Sequence, residues 1–243
     1  MLRRLHVPRL FAGEVPLDPV QARHARDVLR LGEGTAVEAF DDEGNVAKGT
    51  LTFSPDNVTL VKVDEITRRD EAAIRIIVAS AIPKGERADW MVEKLSELGI
   101  ASFIPLAAER SVTVPSGKSK FERWGRIATE SAKQSRRIGV MAIEALTSVD
   151  ELVAKNKVGV VLSTASGTRP LIDALEEFAG EVLLVVGPEG GWTDRELTKF
   201  SEAGYVAAGL TASVLRTETA AIIAAAVVAV IRVVTSKAAG TRE

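Results

Sequence analysis

The hydrophobic pattern changes its period near residue 70 of the 243-residue chain. Before that point, apolar and polar residues alternate in short stretches, at residues 36–40, 47–53 and 58–63. Alternation with a period of two is typical of strands that bury one face. One short helix is predicted at residues 19–31, where Gly32 would end it. The pattern therefore predicts a small β-rich unit at the start of the chain.

Strands and helices alternate after residue 73. Continuous β-branched and apolar stretches at residues 74–82 and 182–186 predict strands buried on both faces, and residues 87–98 have helical spacing. Further strands are predicted at residues 100–106, 140–145, 158–164 and 205–210, and further helices at residues 121–137, 171–179 and 217–238. Such alternation predicts a mostly parallel sheet with helices on both faces.

The charged run at residues 68–71 is the predicted boundary between these units. It has neither the length nor the glycine and serine content of a flexible linker. We therefore predict two domains, residues 1–70 and 73–243.

Composition excludes several classes of site. The chain has no cysteine and only two histidines, His6 and His24, so disulfides, a cysteine nucleophile and a metal site are not expected. No apolar segment of signal-peptide type follows Met1. The longest apolar run, residues 220–231, is shorter than the roughly 20 residues that a membrane span requires. We expect a cytoplasmic protein without a membrane segment, in which this run is a buried helix.

The net charge of −2 conceals two basic stretches. Residues 1–30 hold six arginines and three acids, and residues 110–137 hold eight lysines or arginines and two acids. Clustered cations predict contact with a polyanion, although solvated helix faces give the same pattern.

Three loops are candidates for a ligand site. Ligands of parallel α/β sheets bind beyond the carboxyl ends of the strands, where residues 163–170, 187–192 and 211–217 are predicted to lie. The middle loop contains Pro188, Gly190 and Gly191, which allow a ligand to approach the main chain closely. A tight strand-to-helix connection is the alternative interpretation. Neither the dinucleotide-binding nor the P-loop glycine pattern occurs.

Two of these loops carry motifs of a known family. Residues 187–191, Gly-Pro-Glu-Gly-Gly, and residues 215–220, Leu-Arg-Thr-Glu-Thr-Ala, resemble the signature of the RsmE family of 16S ribosomal RNA uridine-N3 methyltransferases, in the SPOUT superfamily. The likeness covers nearly the whole chain. Residues 24–32 resemble the small N-terminal PUA-like domain of the family, residues 83–105 resemble the opening of its catalytic domain, and residues 123–137 resemble its central helix.

The resemblance implies a SPOUT-type α/β domain with a deep trefoil knot at its C-terminal end, preceded by a PUA-like β-barrel domain. It also implies a homodimer that uses S-adenosylmethionine to methylate 16S ribosomal RNA in the small ribosomal subunit. The cofactor contacts that it assigns are Leu162, Ser163, Thr164, Gly187, Glu189, Gly190, Gly191, Leu210, Val214, Leu215 and Thr219.

The basic stretches then become the expected RNA-binding surfaces. The residues predicted to contact RNA are Arg3, Arg4, Arg9, Arg23, Arg26 and Arg30 in the first domain, and Arg123, Arg126, Lys133, Gln134, Arg136 and Arg137 in the second. The chain departs from the family pattern at Thr211, where a glycine is usual, and at Ser213, where an arginine is usual.

Uridine N3 carries a proton at neutral pH, so its methylation requires a group that removes or offsets that proton. We expect Arg216 to stabilise negative charge on the uracil oxygens, and one of Glu189, Glu218 and Glu130 to accept the proton or orient the base. Helix-dipole stabilisation for Glu218 and an ion pair of Arg216 with Glu218 or Glu189 are the structural alternatives. The functional alternatives are a non-catalytic RNA-binding dimer and a SPOUT enzyme that methylates ribose 2′-O.

Overall fold

The computed structural model describes residues 2–54, 59–68, 75–115, 117–137, 139–155 and 157–240. The chain forms two compact units. One comprises Met1–Glu71 with Thr129–Val140, and the other comprises Ala72–Ala128 with Met141–Glu243. The boundary predicted at residues 68–71 falls almost entirely outside the described residues.

A five-stranded sheet forms the first unit. Its strands are β1 (Arg3–His6), β2 (Gly13–Pro16), β3 (Ala36–Phe40), β4 (Asn45–Phe53) and β5 (Thr59–Arg68). They lie in the order β1-β3-β4-β5-β2, in which β1 runs parallel to β3 and the other pairs are antiparallel. Three of these strands were predicted by their alternation. The other two, β1 and β2, have four residues each, which is too short for a period of two to stand out.

Alternate side chains of these strands build the core of the first unit. Val37, Ala39, Leu51 and Val61 are all fully buried there. The predicted helix divides into two parts, α1 (Pro19–Arg23) and a π-helical turn at His24–Val28. Oδ1 of Asp18 accepts a 2.9 Å hydrogen bond from the backbone N–H of Val20, which caps the N-terminus of α1.

Arg4 is buried within the first unit, and its prediction as an RNA contact is wrong. The residue is 7% exposed, and its Nε lies 2.7 Å from a carboxylate oxygen of Glu38. Its Nη1 donates to the carbonyls of Ala132 and Arg137, at 3.2 and 2.8 Å, and its guanidinium lies over the Phe40 ring. Arg4 therefore satisfies carbonyl groups at a helix end, where a cation is favourable, instead of facing a ligand.

The second unit contains a parallel sheet of eight strands. They are β6 (Arg75–Ser80), β7 (Ser102–Ala107), β8 (Ala142–Ile143), β9 (Thr147–Ser148), β10 (Val160–Leu162), β11 (Arg169–Pro170), β12 (Glu181–Val186) and β13 (Val206–Gly209). Seven lie in the order β11-β13-β10-β12-β6-β7-β8, and β9 pairs with β7. The mostly parallel α/β sheet is confirmed, whereas the two-residue strands β9 and β11 were not predicted.

Helices accompany this sheet along the chain. They are α2 (Glu86–Glu97), α3 (Lys118–Ser135), α4 (Val149–Ala154), α5 (Leu171–Ala174), α6 (Asp194–Glu202) and α7 (Thr217–Gly240). The first unit takes up α3 from Thr129 onward. One face of β6 and β12 packs with α4 and α6 in a single apolar cluster, and α7 contacts the same two strands and α2.

Helix α7 contains the longest apolar run of the sequence, residues 220–231. By length and composition alone, its residues Thr217–Val234 could cross a membrane, and 33% of that segment is buried inside the fold. Ala221, Ala224 and Val228 are among its buried residues, at a helical spacing of three and four. This stripe packs inside the fold, but Val230 of the same run is 63% exposed, so the helix is buried along one side and not throughout as predicted.

Candidate cofactor site

A cavity of about 490 Å³ lies beyond the carboxyl ends of β10, β12 and β13, the place predicted from the sheet arrangement. The loops that follow these three strands form most of its wall. Every residue predicted to contact a cofactor lines the cavity except Thr219. The full lining is Arg110, Leu162, Ser163, Thr164, Ala165, Val186, Gly187, Pro188, Glu189, Gly190, Gly191, Trp192, Leu197, Leu210, Thr211, Ser213, Val214, Leu215, Thr217 and Ala220.

The glycine loop owes its shape to close approaches by two neighbouring side chains. A Cβ atom on Gly187 would come within 2.8 Å of the indole carbon Cε2 of Trp192. A Cβ on Gly190 would come within 3.1 Å of Cβ of Arg110. Gly191 has a φ of 70°, and its N–H donates to the carbonyl of Pro188 at 2.8 Å, which closes a tight turn. Any larger residue at Gly187 would displace the indole.

Two hydrogen bonds join the three loops into one site. The indole Nε1 of Trp192 donates to the carbonyl of Leu162 at 2.9 Å, which links the glycine loop to the end of β10. The hydroxyl of Thr217 donates to the carbonyl of Gly187 at 3.1 Å, which links the loop to the first turn of α7. Trp192 also packs edge-on against Phe200 of α6, with ring centroids 5.1 Å apart.

A capping box formed by Thr193 and Glu196 begins α6, and Glu196 has a further role. Glu196 is 1% exposed; one carboxylate oxygen accepts from the backbone N–H of Thr193, and the other accepts from the N–H of Glu109 at 2.8 Å. The neighbouring Arg110 donates from Nη1 to the carbonyls of Gly190 and Trp192, at 3.1 and 3.3 Å. The segment that follows β7 therefore fixes the outer side of the glycine loop.

The two departures from the family pattern form a local contact in the third loop. The Thr211 hydroxyl donates to the carbonyl of Ser213 at 2.7 Å, and both residues are exposed and line the cavity. The adjoining Val214 is 81% exposed. A threonine can therefore replace the usual glycine here by stabilising the turn with its own side chain.

The candidate catalytic residues have different surroundings. Arg216 is exposed and has no side-chain hydrogen bond or ion pair within the described part of the chain. The alternative interpretation, an ion pair of Arg216 with Glu189 or Glu218, is not seen among the described residues; Arg87 of α2 pairs with both carboxylates, at 3.0 and 3.2 Å. Glu130 belongs to the first unit, where it pairs with Lys133 at 2.7 Å.

Among the candidate carboxylates, only Glu189 lines the cavity, and its side chain is 41% exposed. Glu218 is 3% exposed and is absent from the cavity wall. The geometry therefore favours Glu189 over Glu218 for contact with a bound molecule.

Most residues predicted to contact RNA present exposed side chains. Arg3, Arg9, Arg23, Arg30, Arg126 and Gln134 are exposed, as are Arg123 and Arg136, whereas Arg26, Lys133 and Arg137 are half-buried. Arg123 pairs with Asp89 at 2.7 Å, and Arg136 donates to the carbonyl of Leu2 at 3.0 Å. Arg136 has a φ of 56°, the left-handed conformation common at helix ends.

The comparisons with known proteins agree with this geometry. An RNA methyltransferase domain matches residues 70–229, and an RNA methyltransferase PUA domain matches residues 17–63. Ribosomal RNA small subunit methyltransferase E of Bacillus subtilis is 33% identical over 213 residues, which are 82% of this chain and 83% of that protein. The chain belongs to the RsmE family of RNA methyltransferases. The family and the enzyme class expected from its motifs are therefore confirmed.

Other RsmE relatives resemble the chain over similar lengths. The protein of the same name from Synechocystis is 30% identical over 224 residues, which cover 90% of this chain and 73% of the relative. The structure of the Neisseria gonorrhoeae methyltransferase E bound to S-adenosylmethionine superposes with a TM-score of 0.83 at 25% identity, covering 95% of this chain and 98% of that one. A putative methyltransferase of Legionella pneumophila, also with S-adenosylmethionine, gives a TM-score of 0.82 at 25% identity over 95% of this chain and 98% of that one.

Arg87, Arg110 and Trp192 were not among the individual contacts predicted from the sequence, although Trp192 lies in the predicted loop 187–192. Trp192 directly follows the glycine motif, and its position could have suggested a role in the cavity wall. Arg87 and Arg110 are distant from the motif in sequence, and only the sheet topology brings them to it.

Proposed function

We propose that this chain transfers a methyl group from S-adenosylmethionine to N3 of a specific uridine in 16S ribosomal RNA of the small ribosomal subunit. The observation that carries the proposal is that the Gly187–Gly191 and Leu215–Ala220 motifs line one shared cavity with the end of β10. Relatives named for methylation of small-subunit ribosomal RNA, and one such enzyme crystallised with this cofactor, support it. We infer cytoplasmic action, since ribosomal RNA is its substrate.

The cavity suits S-adenosylmethionine in size and chemistry. Its volume lies in the range of about 300–1,000 Å³ that is typical of small-molecule sites. Glycines at positions 187, 190 and 191 leave main-chain groups open to a ligand, while Leu162, Leu210 and Leu215 supply apolar surface. The cofactor would supply an electrophilic methyl group when bound there.

The chain's own residues would prepare the uracil for attack. Glu189 reaches the cavity and is accessible, so it would accept the N3 proton or orient the base. Arg216 keeps its guanidinium unpaired within the described residues, and it would stabilise negative charge that develops on the uracil oxygens. Glu218 would act indirectly, through its ion pair with Arg87. Glu130 would have a structural role in the first unit, where it pairs with Lys133.

The proposal includes a homodimer and a separate RNA-binding surface. Helix α7 exposes Val230, Val233 and Val234, at 63%, 53% and 62%, and a second copy of the chain would cover these apolar side chains. The first unit, with exposed arginines such as Arg3 and Arg9, would hold RNA phosphate.

Nucleosides from a deletion strain test the target. Loss of 3-methyluridine from 16S RNA, restored by the plasmid-borne gene, is the expected result. Loss of a ribose-methylated nucleoside would instead place the enzyme among the 2′-O methyltransferases. Unchanged nucleosides, combined with no saturable heat when S-adenosylmethionine is titrated into the protein, would indicate a non-catalytic RNA-binding dimer.

A further inference from the structure

Arg87 connects three segments of the site although it does not line the cavity. It lies in the first turn of α2, and its side chain is 36% exposed. Its Nη1 donates to Glu189 of the glycine loop at 3.0 Å and to Glu218 in the first turn of α7 at 3.2 Å. One guanidinium nitrogen thus holds two carboxylates from two different segments.

The position of Arg87 is unfavourable for its own helix. Cations destabilise the N-terminal turn of a helix, where the backbone dipole is positive. The other charged residues of that turn, Glu86 and Asp89, are acidic, as the dipole favours. Arg87 is therefore better explained by its two partners outside the helix. The same partners raise its pKa above the ordinary value, first through the hydrogen bond to Glu218 and then through the charge of Glu218.

Glu218 depends on Arg87 for compensation of its charge. The residue is 3% exposed, and its Oε2 is buried without a hydrogen-bond partner within the described residues. Its other oxygen is bonded to Arg87. A buried carboxylate without a cation is strongly destabilising. Just before Glu218 in the chain, Thr217 bonds to the glycine loop, and Arg216 is proposed to contact uracil.

We propose that Arg87 is a positioning residue for methyl transfer. It couples Glu189 to Glu218 and so keeps the glycine loop in register with the turn that carries Arg216. The inference rests on the proposed function, because that function assigns the roles of Glu189 and Arg216. A direct contact between Arg87 and RNA phosphate is the competing explanation for a half-exposed arginine beside the site.

Substitutions in the full-length protein separate the two explanations. Arg87→Gln removes the charge, Arg87→Lys retains it without the planar donor group, and Glu189→Gln removes one partner. Arg87→Gln combined with Glu189→Gln completes a double-mutant cycle. Arg75→Gln is the matched control, because Arg75 is also an accessible arginine, 3.5 Å from Glu181, at the opposite ends of the strands.

The readouts are the affinity for S-adenosylmethionine, kcat and KM with small-subunit RNA, and the salt dependence of RNA binding. We expect Arg87→Gln to lower kcat/KM about 10- to 100-fold, the loss typical of a misplaced reacting group, with partial recovery in Arg87→Lys and no change in the salt slope. Where Glu189→Gln is already present, Arg87→Gln should cause little further loss, because the partner through which Arg87 acts is then gone. Arg75→Gln should behave as the wild type.

Three results would overturn the proposal. The first is wild-type turnover in Arg87→Gln, and the second is a loss of kcat/KM in the Arg87→Gln/Glu189→Gln variant equal to the product of the two single losses. The third is a slope of log RNA affinity against log salt that falls by about one in Arg87→Gln, which marks a phosphate contact. If Arg87→Gln does not fold, the double variant Arg87→Gln/Glu218→Gln replaces it, because this variant also removes the uncompensated charge of Glu218. Wild-type activity of the folded double variant would also overturn the proposal.

Cofactor binding and RNA methylation by the wild-type protein test the proposed function separately from the role of Arg87. A wild type that binds S-adenosylmethionine but methylates no RNA would refute the proposed function alone. The cofactor affinity then decides about Arg87, since Arg87→Gln must weaken it relative to Arg75→Gln. A wild type that does not bind the cofactor would refute both.

Discussion

Single residues decide the shape of the site, and Gly187 shows this most clearly. Gly187→Ala would place a methyl group within 2.8 Å of Cε2 of Trp192, and the indole would have to move from its hydrogen bond to Leu162. We expect at least a tenfold loss of affinity for S-adenosylmethionine, the change that corresponds to about 1.4 kcal/mol. Titration calorimetry measures it.

Gly32→Ala is the control for that substitution. Gly32 lies in the first unit, a methyl group on its Cα would meet no atom within 4 Å, and its φ is not positive. Its variant should bind the cofactor like the wild type. Equal affinities for Gly187→Ala and Gly32→Ala would show that the Trp192 contact does not shape the site.

Arg216 is the residue on which the proposed chemistry depends most. Arg216→Ala should retain the cofactor, because Arg216 is absent from the cavity wall, and should lose about 100-fold or more in turnover, the usual effect of removing a charge-stabilising donor. Methyl incorporation into small-subunit RNA at matched cofactor occupancy is the measurement. Turnover near that of the wild type would remove Arg216 from the mechanism.

The sequence predicted the residues of the glycine loop and the turn before α7 because they are contiguous motifs. It could not predict Arg87, because a pairing between the start of α2 and two segments about a hundred residues or more later depends on tertiary structure. It also misassigned Arg4, whose sequence neighbours resemble a basic surface patch although the side chain is buried. The presence of an arginine in the sequence does not show whether its side chain binds carbonyl groups at a helix end or contacts RNA.

At the scale of elements, the length of a helix or strand decided whether the sequence pattern could predict it. The predicted strands at residues 36–40 and 182–186 match β3 and β12, and long helices such as α2 and α7 were found within a few residues. The four-residue strands β1 and β2 were missed because pairing with neighbours, not local pattern, makes them strands. The capping boxes of α4 and α6 follow from sequence spacing alone, Ser148 with Glu151 and Thr193 with Glu196, since their hydrogen bonds are local.

The capping box of α4 gives a pH-dependent prediction. The pKa of Glu151 is held below its ordinary value of 4.5, first by the backbone N–H of Ser148 and then by the Ser148 hydroxyl. The stabilising contribution of a carboxylate with a lowered pKa is present above its unfolded pKa and is lost as pH falls through the folded one. Glu151→Gln should therefore be less stable than the wild type at neutral pH.

The difference between the two proteins should shrink as pH falls below 4.5, because the wild-type carboxylate then takes up its proton. Urea unfolding at several pH values, followed by circular dichroism, measures it. A stability difference that is independent of pH would contradict the role of the Glu151 charge.

At the scale of the molecule, the family likeness predicted what local pattern could not: a PUA domain before a methyltransferase domain. The trefoil knot and the homodimer remain predictions. General rules of chain connection would disfavour a knot, and no period in the sequence indicates one.

The exposed arginines of the first unit allow a prediction of how RNA binding depends on salt. Replacing exposed Arg3 and Arg9 with glutamine should reduce the slope of log affinity against log salt by about one for each phosphate that is no longer neutralised. Filter binding at salt concentrations between about 50 and 200 mM gives the slopes. An unchanged slope in the Arg3 and Arg9 variants would exclude both residues from the RNA surface.

Arg4→Gln is the contrasting variant in the same unit. It should lower the stability of the first unit, because Glu38 and the carbonyl of Arg137 would lose a buried cation. The salt slope of the folded variant should equal that of the wild type. A reduced slope without a loss of stability would return Arg4 to the RNA surface.

The most direct test of the central claim is a reaction with the purified chain, small ribosomal subunits that carry unmethylated 16S RNA, and S-adenosylmethionine with a deuterated methyl group. The RNA is digested to nucleosides, and the labelled product is identified by mass spectrometry. The proposed function predicts a deuterated 3-methyluridine whose rate of formation falls about 100-fold or more with Arg216→Ala. A label on ribose, or no label from a protein that binds the cofactor, would contradict it.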